Sequence, residues 1–157
     1  MIHIMKDCWY RNSDKLRSAL KEKYGEGNSW DVYCCYEDLV KLTFEIIYNS
    51  DEQVLNELDL DKITSIDNGD YQGTIVFVIP FDTYQPSNYE YLMTYVGYGS
   101  CSYCDALQGA IDMEDGETRV ASLMSICESI VSDTIKPYNH GWMRVKLFDF
   151  VEEGVEA

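Results

Sequence analysis

The sequence predicts an α+β domain: a mainly antiparallel sheet of three to four strands packed with four or five helices. Helical apolar periodicity brackets a central block of β-branched and aromatic residues, and Asn68-Gly69 is a strong hairpin signal between two strand-like runs. No strand runs into a glycine-rich phosphate loop, so a nucleotide-binding α/β fold is unsupported. The chain has 157 residues, the size of one domain, spanning 1–157. With 46% hydrophobic and 13% aromatic residues it can build a core in spite of a net charge of −16.

The elements follow in order. Asn12-Ser13-Asp14 reads as a cap for a helix over about 13–24, stopped by Gly25 and Gly27. Ser29 opens a second helix through Tyr48, with Val32, Cys35, Leu39, Leu42 and Ile46 on one stripe and Tyr36, Val40, Phe44 and Ile47 widening it. Residues 51–59 fit one or two helical turns. Ile63–Ile66, the turn Asp67–Asp70 and Tyr71–Ile79 read as strand, turn, strand. Ile75–Ile79 is continuously apolar, which predicts an interior strand covered on both faces and ended by Pro80. Tyr91–Tyr98 is a further strand. A short helix over 105–111 stops at the acidic turn 112–116. From Glu117 a helix follows, with Val120, Leu123, Met124, Cys127, Ile130 and Val131 on a single face, and Pro137 ends that region. The alternation over 144–149 predicts a last strand.

Charge is segregated along the chain. The first 25 residues hold six of the twelve cations, whereas residues 42–118 hold Lys62 alone against fifteen acids. Such a field repels nucleic-acid backbones and anionic membranes and favours a basic protein partner. The longest apolar run, Thr74–Pro80, is far too short to span a bilayer, and the N-terminus lacks the apolar stretch of a signal peptide. The six cysteines then read as reduced thiols or metal ligands in a cytosolic compartment.

Cys101 and Cys104 are the most distinctive chemical pair. A Cys-x-x-Cys turn supplies two ligands of a structural zinc site, and Cys127 and His140 complete a Cys3His set if the two helices after the turn climb and descend equally. The same turn, at a strand-to-helix junction, resembles the Cys-Pro-Tyr-Cys loop of glutaredoxins and so admits thiol-disulfide exchange, but the thioredoxin-like order of elements is missing. The third reading is two packed thiols, and Cys127 is equally a small residue on a core stripe. Cys34-Cys35 points to core filling, and nothing in the spacing of His3 and Cys8 argues for ligation.

With only two histidines, a hydrolase triad has little to draw on. The acids of residues 51–70 lack the order of a calcium-binding EF-hand loop. Tyrosine is in excess between residues 71 and 103, and tyrosine beside acid suits a protein interface. Asp59, Asp61, Asp67, Asp70, Tyr84, Tyr89 and Glu90 are therefore the candidate partner-binding residues.

Two stretches, Asp70-Tyr71-Gln72-Gly73 and Tyr98-Gly99-Ser100-Cys101-Ser102-Tyr103-Cys104-Asp105, resemble a family of small phage proteins. These typically show Asp-Tyr-Gln-Gly followed by Tyr-Gly-Ser-Cys-Ser-Gly-Cys-Asp; Tyr103 stands where they have glycine. In its acidity, size and paired cysteines the chain is also similar to type II anti-CRISPR proteins, some of which contain zinc and bind Cas9. That likeness transfers no residues. It implies a non-enzymatic inhibitor in the host cell cytoplasm, directed at a basic nuclease of the Cas9 type. The alternatives are a thiol oxidoreductase using Cys101 and Cys104, and a phage accessory protein with an unrelated partner.

Overall fold

The computed structural model describes residues 2–70, 72–100, 105–138 and 141–145. Among them the chain runs α1 (Ile2–Tyr24), α2 (Tyr36–Phe44), β1 (Thr64–Asp67), β2 (Gly73–Pro80), β3 (Tyr91–Tyr98), α3 (Ala106–Ile111), α4 (Gly116–Ser132), β4 (Ile135–Tyr138) and β5 (Gly141–Arg144). The strands form one antiparallel sheet in the order β1-β2-β3-β4-β5, which gives the expected α+β class. The first three strands are a continuous meander, and the small β4–β5 hairpin joins it through one registered pair, Met93 with Ile135.

Helix α1 starts well before the predicted cap. Met5, Cys8, Trp9, Asn12, Leu16, Leu20 and Tyr24 form one buried stripe at helical spacing, so the capping signal at Asn12 is overridden from both sides. Asn12 lies inside the helix, where its amide donates to the Ile47 carbonyl (3.1 Å) and to Asp51 (2.7 Å). The second helix is shorter than predicted. It begins at Tyr36, with Cys35 at its N-cap, and residues before it are turn and coil. After Phe44 it widens into a π-helical turn, Glu45–Asn49. Residues 51–59 are turns rather than helix, held by a bridge between Leu58 and Phe81, and a single 3-10 turn follows at Leu60–Lys62.

Strand β2 is interior in hydrogen-bonding order but is covered on one face only. Phe77 and Ile79 are buried while Val76 and Val78 are half-buried, because hairpin connections leave no crossover helix to cover the second face. On β3, whose bounds match the prediction, Leu92, Thr94 and Val96 face the helices. There the Thr94 hydroxyl donates to the Ile130 carbonyl of α4 (2.7 Å). The predicted face of α4 is the one buried, and each such aliphatic contributes about 1.5–3 kcal/mol. Pro137 lies within β4. Of the strand predicted over 144–149, Arg144 ends β5 and residues 146–149 lie outside the described residues.

α1 approaches α4 closely at Gly116, where an added Cβ would strike the Gly25 carbonyl. Arg119, fully buried, clamps the same junction. Its guanidinium donates to the carbonyls of Met113 (2.7 and 3.1 Å), Tyr24 (2.9 Å) and Gly27 (3.3 Å), so every N–H finds a main-chain acceptor.

Candidate functional site

The meander separates the acidic residues singled out by sequence. β2 has eight residues, so its two ends are about 24 Å apart at ~3.4 Å per residue. Asp67 and Asp70 lie at the β1–β2 turn, beside the end of β3. Asp59, Asp61, Tyr84, Tyr89 and Glu90 lie at the opposite end, around the β2–β3 connection.

At the first end the Asp67 carboxylate is turned to internal donors. Asp67 accepts from the Tyr98 hydroxyl (2.5 Å) and from the Gly69 N–H (3.0 Å), which hold its carboxyl below the usual range and push the Tyr98 phenol up to about 12. The connection between β1 and β2 runs over 68–72, longer than the expected Asp67–Asp70 turn. Asn68 Oδ1 accepts from the Thr74 N–H (2.8 Å), and Gly73 packs so tightly that a Cβ would lie 2.8 Å from that oxygen and 2.9 Å from Gly69 Cα. This close approach is the physical reason for glycine at the end of Asp70-Tyr71-Gln72-Gly73.

Asp105 does comparable work beside the cysteine pair. Its carboxylate accepts from the Gly99 N–H (3.1 Å), the Gln108 N–H (3.1 Å) and the Tyr36 hydroxyl (2.7 Å), and the Leu107 N–H donates in turn to the Tyr36 oxygen (3.2 Å). One buried acid thus ties the end of β3, the start of α3 and the start of α2 together. Burial and this carboxylate raise the Tyr36 phenol well above its ordinary value. The signal for it was in the sequence: Asp105 and Gln108 have the spacing of a capping box, Asp-x-x-Gln.

Of the proposed metal ligands, Cys101, Cys104 and His140 lie outside the described residues. Cys127 is fully buried on the core face of α4. Burial first, against a partly compensating hydrogen bond with Thr43, raises its thiol to about 12. Cys34 and Cys35 precede α2 instead of lying inside a helix; both are half-buried, and burial raises Cys34 to about 11. Among the described residues no three His, Cys, Asp or Glu side chains converge as metal ligands.

The second end is built differently. The Asp59 N–H donates to the Pro80 carbonyl (2.8 Å) and the Asp82 N–H to the Glu57 carbonyl (2.9 Å), which pins residues 57–59 beside the end of β2. Glu45, Glu57, Asp59, Asp61 and Asp82 consequently line one cleft of about 560 Å³, with Lys41 the sole cation of its lining. Asp59 meets Lys62 at 3.5 Å and caps the 3-10 turn, whereas no ion pair forms at Glu57, Asp61 or Asp82 among the described residues. Next to this cleft is an apolar groove of about 300 Å³ that includes Val54, Leu55, Phe81 and Tyr89. Leu55 and Tyr84 are 94% and 95% exposed, and Tyr89 is 47% exposed. The Lys136 ammonium donates to the Tyr89 carbonyl (2.9 Å), and Glu90 accepts from the Ser87 N–H (3.2 Å), which shapes the connection. Glu45, Glu57, Asp82 and Leu55 were not singled out by sequence; only the backbone bonds that draw residues 57 and 82 together reveal them.

One acid near this end is neutralised. Asp51 is buried against Arg11 (3.0 and 3.1 Å), Asn12 and the Gln53 N–H (2.9 Å), and the Arg11 hydrogen bond first of all holds its carboxyl far below the ordinary range. Burial and the same Asp51 raise the neighbouring Cys8 thiol to about 11.

No family model, no curated protein and no solved structure matches the chain.

Proposed function

We propose that the protein is a non-enzymatic binding protein that docks its acidic end on a basic surface of another protein and blocks that surface. The observation that carries this reading is the pairing of the acidic cleft with exposed Leu55, Tyr84 and Tyr89. An apolar centre rimmed by charge is the anatomy of a protein interface, and uncompensated acids select a lysine- and arginine-rich partner while repelling nucleic acid. The partner class that the sequence resemblance implies is a Cas9-type nuclease in the host cytoplasm, whose nucleic-acid channels are lined with such cations. In this reading the phage-type motifs are the scaffold: Gly73 packs into the β1–β2 turn and Asp105 ties Gly99 to the start of α3.

The test is hydrogen exchange on the protein mixed with a Cas9-type effector, with and without its guide RNA. Slowed exchange over 54–61 and 81–90 supports the reading. No complex at micromolar concentrations in physiological salt, or protection confined to 64–74, opposes it. Zinc on Cys101 and Cys104, with Cys127 and His140 as further ligands, is a separate proposal. Metal analysis of protein produced with ample zinc decides it, a stoichiometry near zero removing the ion.

A further inference from the structure

Two concave sites meet at the acidic end, and one stretch of paired backbone separates them. Leu58 forms a β-bridge with Phe81, and the Asp82 N–H donates to the Glu57 carbonyl (2.9 Å), so residues 56–58 run beside 81–83. Neighbouring side chains on this wall serve different sites. Asn56, Phe81 and Thr83 line the apolar groove of about 300 Å³, whereas Glu57 and Asp82 line the acidic cleft of about 560 Å³. Because Phe81 and Asp82 are consecutive, the two sites are a few residues of extended chain apart at ~3.4 Å per residue, and a lysine or arginine side chain covers the remaining distance.

The groove suits one large side chain. Its volume lies at the bottom of the range for small-molecule sites. The edge-to-face pair of Tyr48 and Phe81 (ring centroids 6.4 Å), both buried, lies at its base, and Leu55, 94% exposed, stands at its rim. Lys136, the only cation of its lining, is turned to the Tyr89 and Pro137 carbonyls (2.9 and 3.4 Å). Thr83 adds a chemical preference. Its hydroxyl oxygen is shielded from water and has no hydrogen-bond partner among the described residues. The side chain as a whole is half-buried, and a change of χ1 rotamer exchanges its shielded hydroxyl for its methyl group. An unpaired hydroxyl in such a place is unfavourable, so an occupant that donates a hydrogen bond to it is favoured over an apolar one of equal size.

We infer that the groove receives a tyrosine or tryptophan side chain of the partner protein, its phenol or indole N–H donating to Thr83, while a lysine or arginine within about three residues on the same segment enters the acidic cleft. The inference rests on the proposed docking of the acidic end and names what that end recognises: a polar-tipped aromatic anchor beside a cation.

The experiment is a titration of isotopically labelled full chain with a blocked seven-residue peptide, followed by backbone NMR. The peptide carries one tyrosine with lysine and arginine shortly after it. Saturable shifts are expected at Val54–Asn56 and Phe81–Thr83, together with shifts at Glu57. Phenylalanine for the tyrosine removes only the hydroxyl and should weaken binding about threefold to tenfold, and in Thr83→Val the two peptides should bind alike. Asn56→Trp, at an exposed position of the lining, should fill the groove and abolish its shifts with the melting temperature unchanged; Gln53→Trp repeats the test if that variant is unstable. Salt-sensitive shifts confined to residues 57–61 and 82, equal for peptides with tyrosine or alanine, would overturn the inference and leave the acidic docking end standing. An absence of saturable shifts at millimolar peptide overturns both. Equally tight binding of free p-cresol, or of a peptide with glutamate for lysine and arginine, overturns the pairing of groove with cleft.

Discussion

The two ends of the sheet hold the same residue types and use them oppositely. At the end where β3 meets α3, Asp67 and Asp105 face N–H and phenol donors, and Arg119 faces carbonyls. At the acidic end, Glu57, Asp61 and Asp82 face solvent and one another across a cleft. What decides between a structural and an available acid is the donors the fold brings to it. Charge count alone does not. Acids that repel one another across a cleft cost stability in the free protein, and a basic partner relieves that repulsion.

Breaking the inward-facing set should give the largest effects. Arg119→Ala leaves the buried Tyr24 carbonyl and the part-buried Met113 and Gly27 carbonyls without this donor and opens a cavity, so a loss of about 3–5 kcal/mol is expected in denaturant unfolding. Asp105→Ala strands the Tyr36 hydroxyl and two N–H groups at a cost of about 2–3 kcal/mol, and Tyr36→Phe about 1–2 kcal/mol. An Asp105→Ala protein as stable as the parent would show that the carboxylate is not the tie between β3, α2 and α3.

The acid limb of the stability profile sharpens the same contrast. Asp51 has a folded pKa below its ordinary 3.8, so its contribution is complete above that value and is lost as pH falls through the folded pKa. Melting temperatures between pH 5 and 2 should fall less steeply in Asp51→Asn than in the parent, from a lower starting value. The smallest effect belongs to the outward-facing set: Asp61→Asn with Asp82→Asn should leave the melting temperature unchanged or slightly raised, because relieved repulsion offsets whatever is lost.

Much of the fold is legible in the sequence, for reasons that residues make plain. β3 and α4 were placed correctly because their apolar periodicity is undisturbed from Tyr91 to Tyr98 and from Val120 to Val131. α1 was truncated because Asn12-Ser13-Asp14 has local capping chemistry, while the partners that keep Asn12 helical, Ile47 and Asp51, lie more than thirty residues away. Tyr36 was read as one more apolar residue on a helical stripe, when its hydroxyl organises the start of α2 and α3. The candidate site was half legible. Asp59, Asp61, Tyr84 and Tyr89 share one end, but Asp67 and Asp70 lie at the other, and Glu57 and Asp82 meet only through a long-range backbone bond.

In the proposed function the outward-facing acids bind a basic protein surface. Its most direct test is calorimetric titration of a Cas9-type effector with the parent and with the Glu57→Gln, Asp61→Asn, Asp82→Asn triple variant, each at several salt concentrations. Parent affinity should fall steadily as salt rises, and the variant should show weaker affinity and a shallower salt dependence. Equal affinities for the two proteins, or parent binding indifferent to salt, would contradict it.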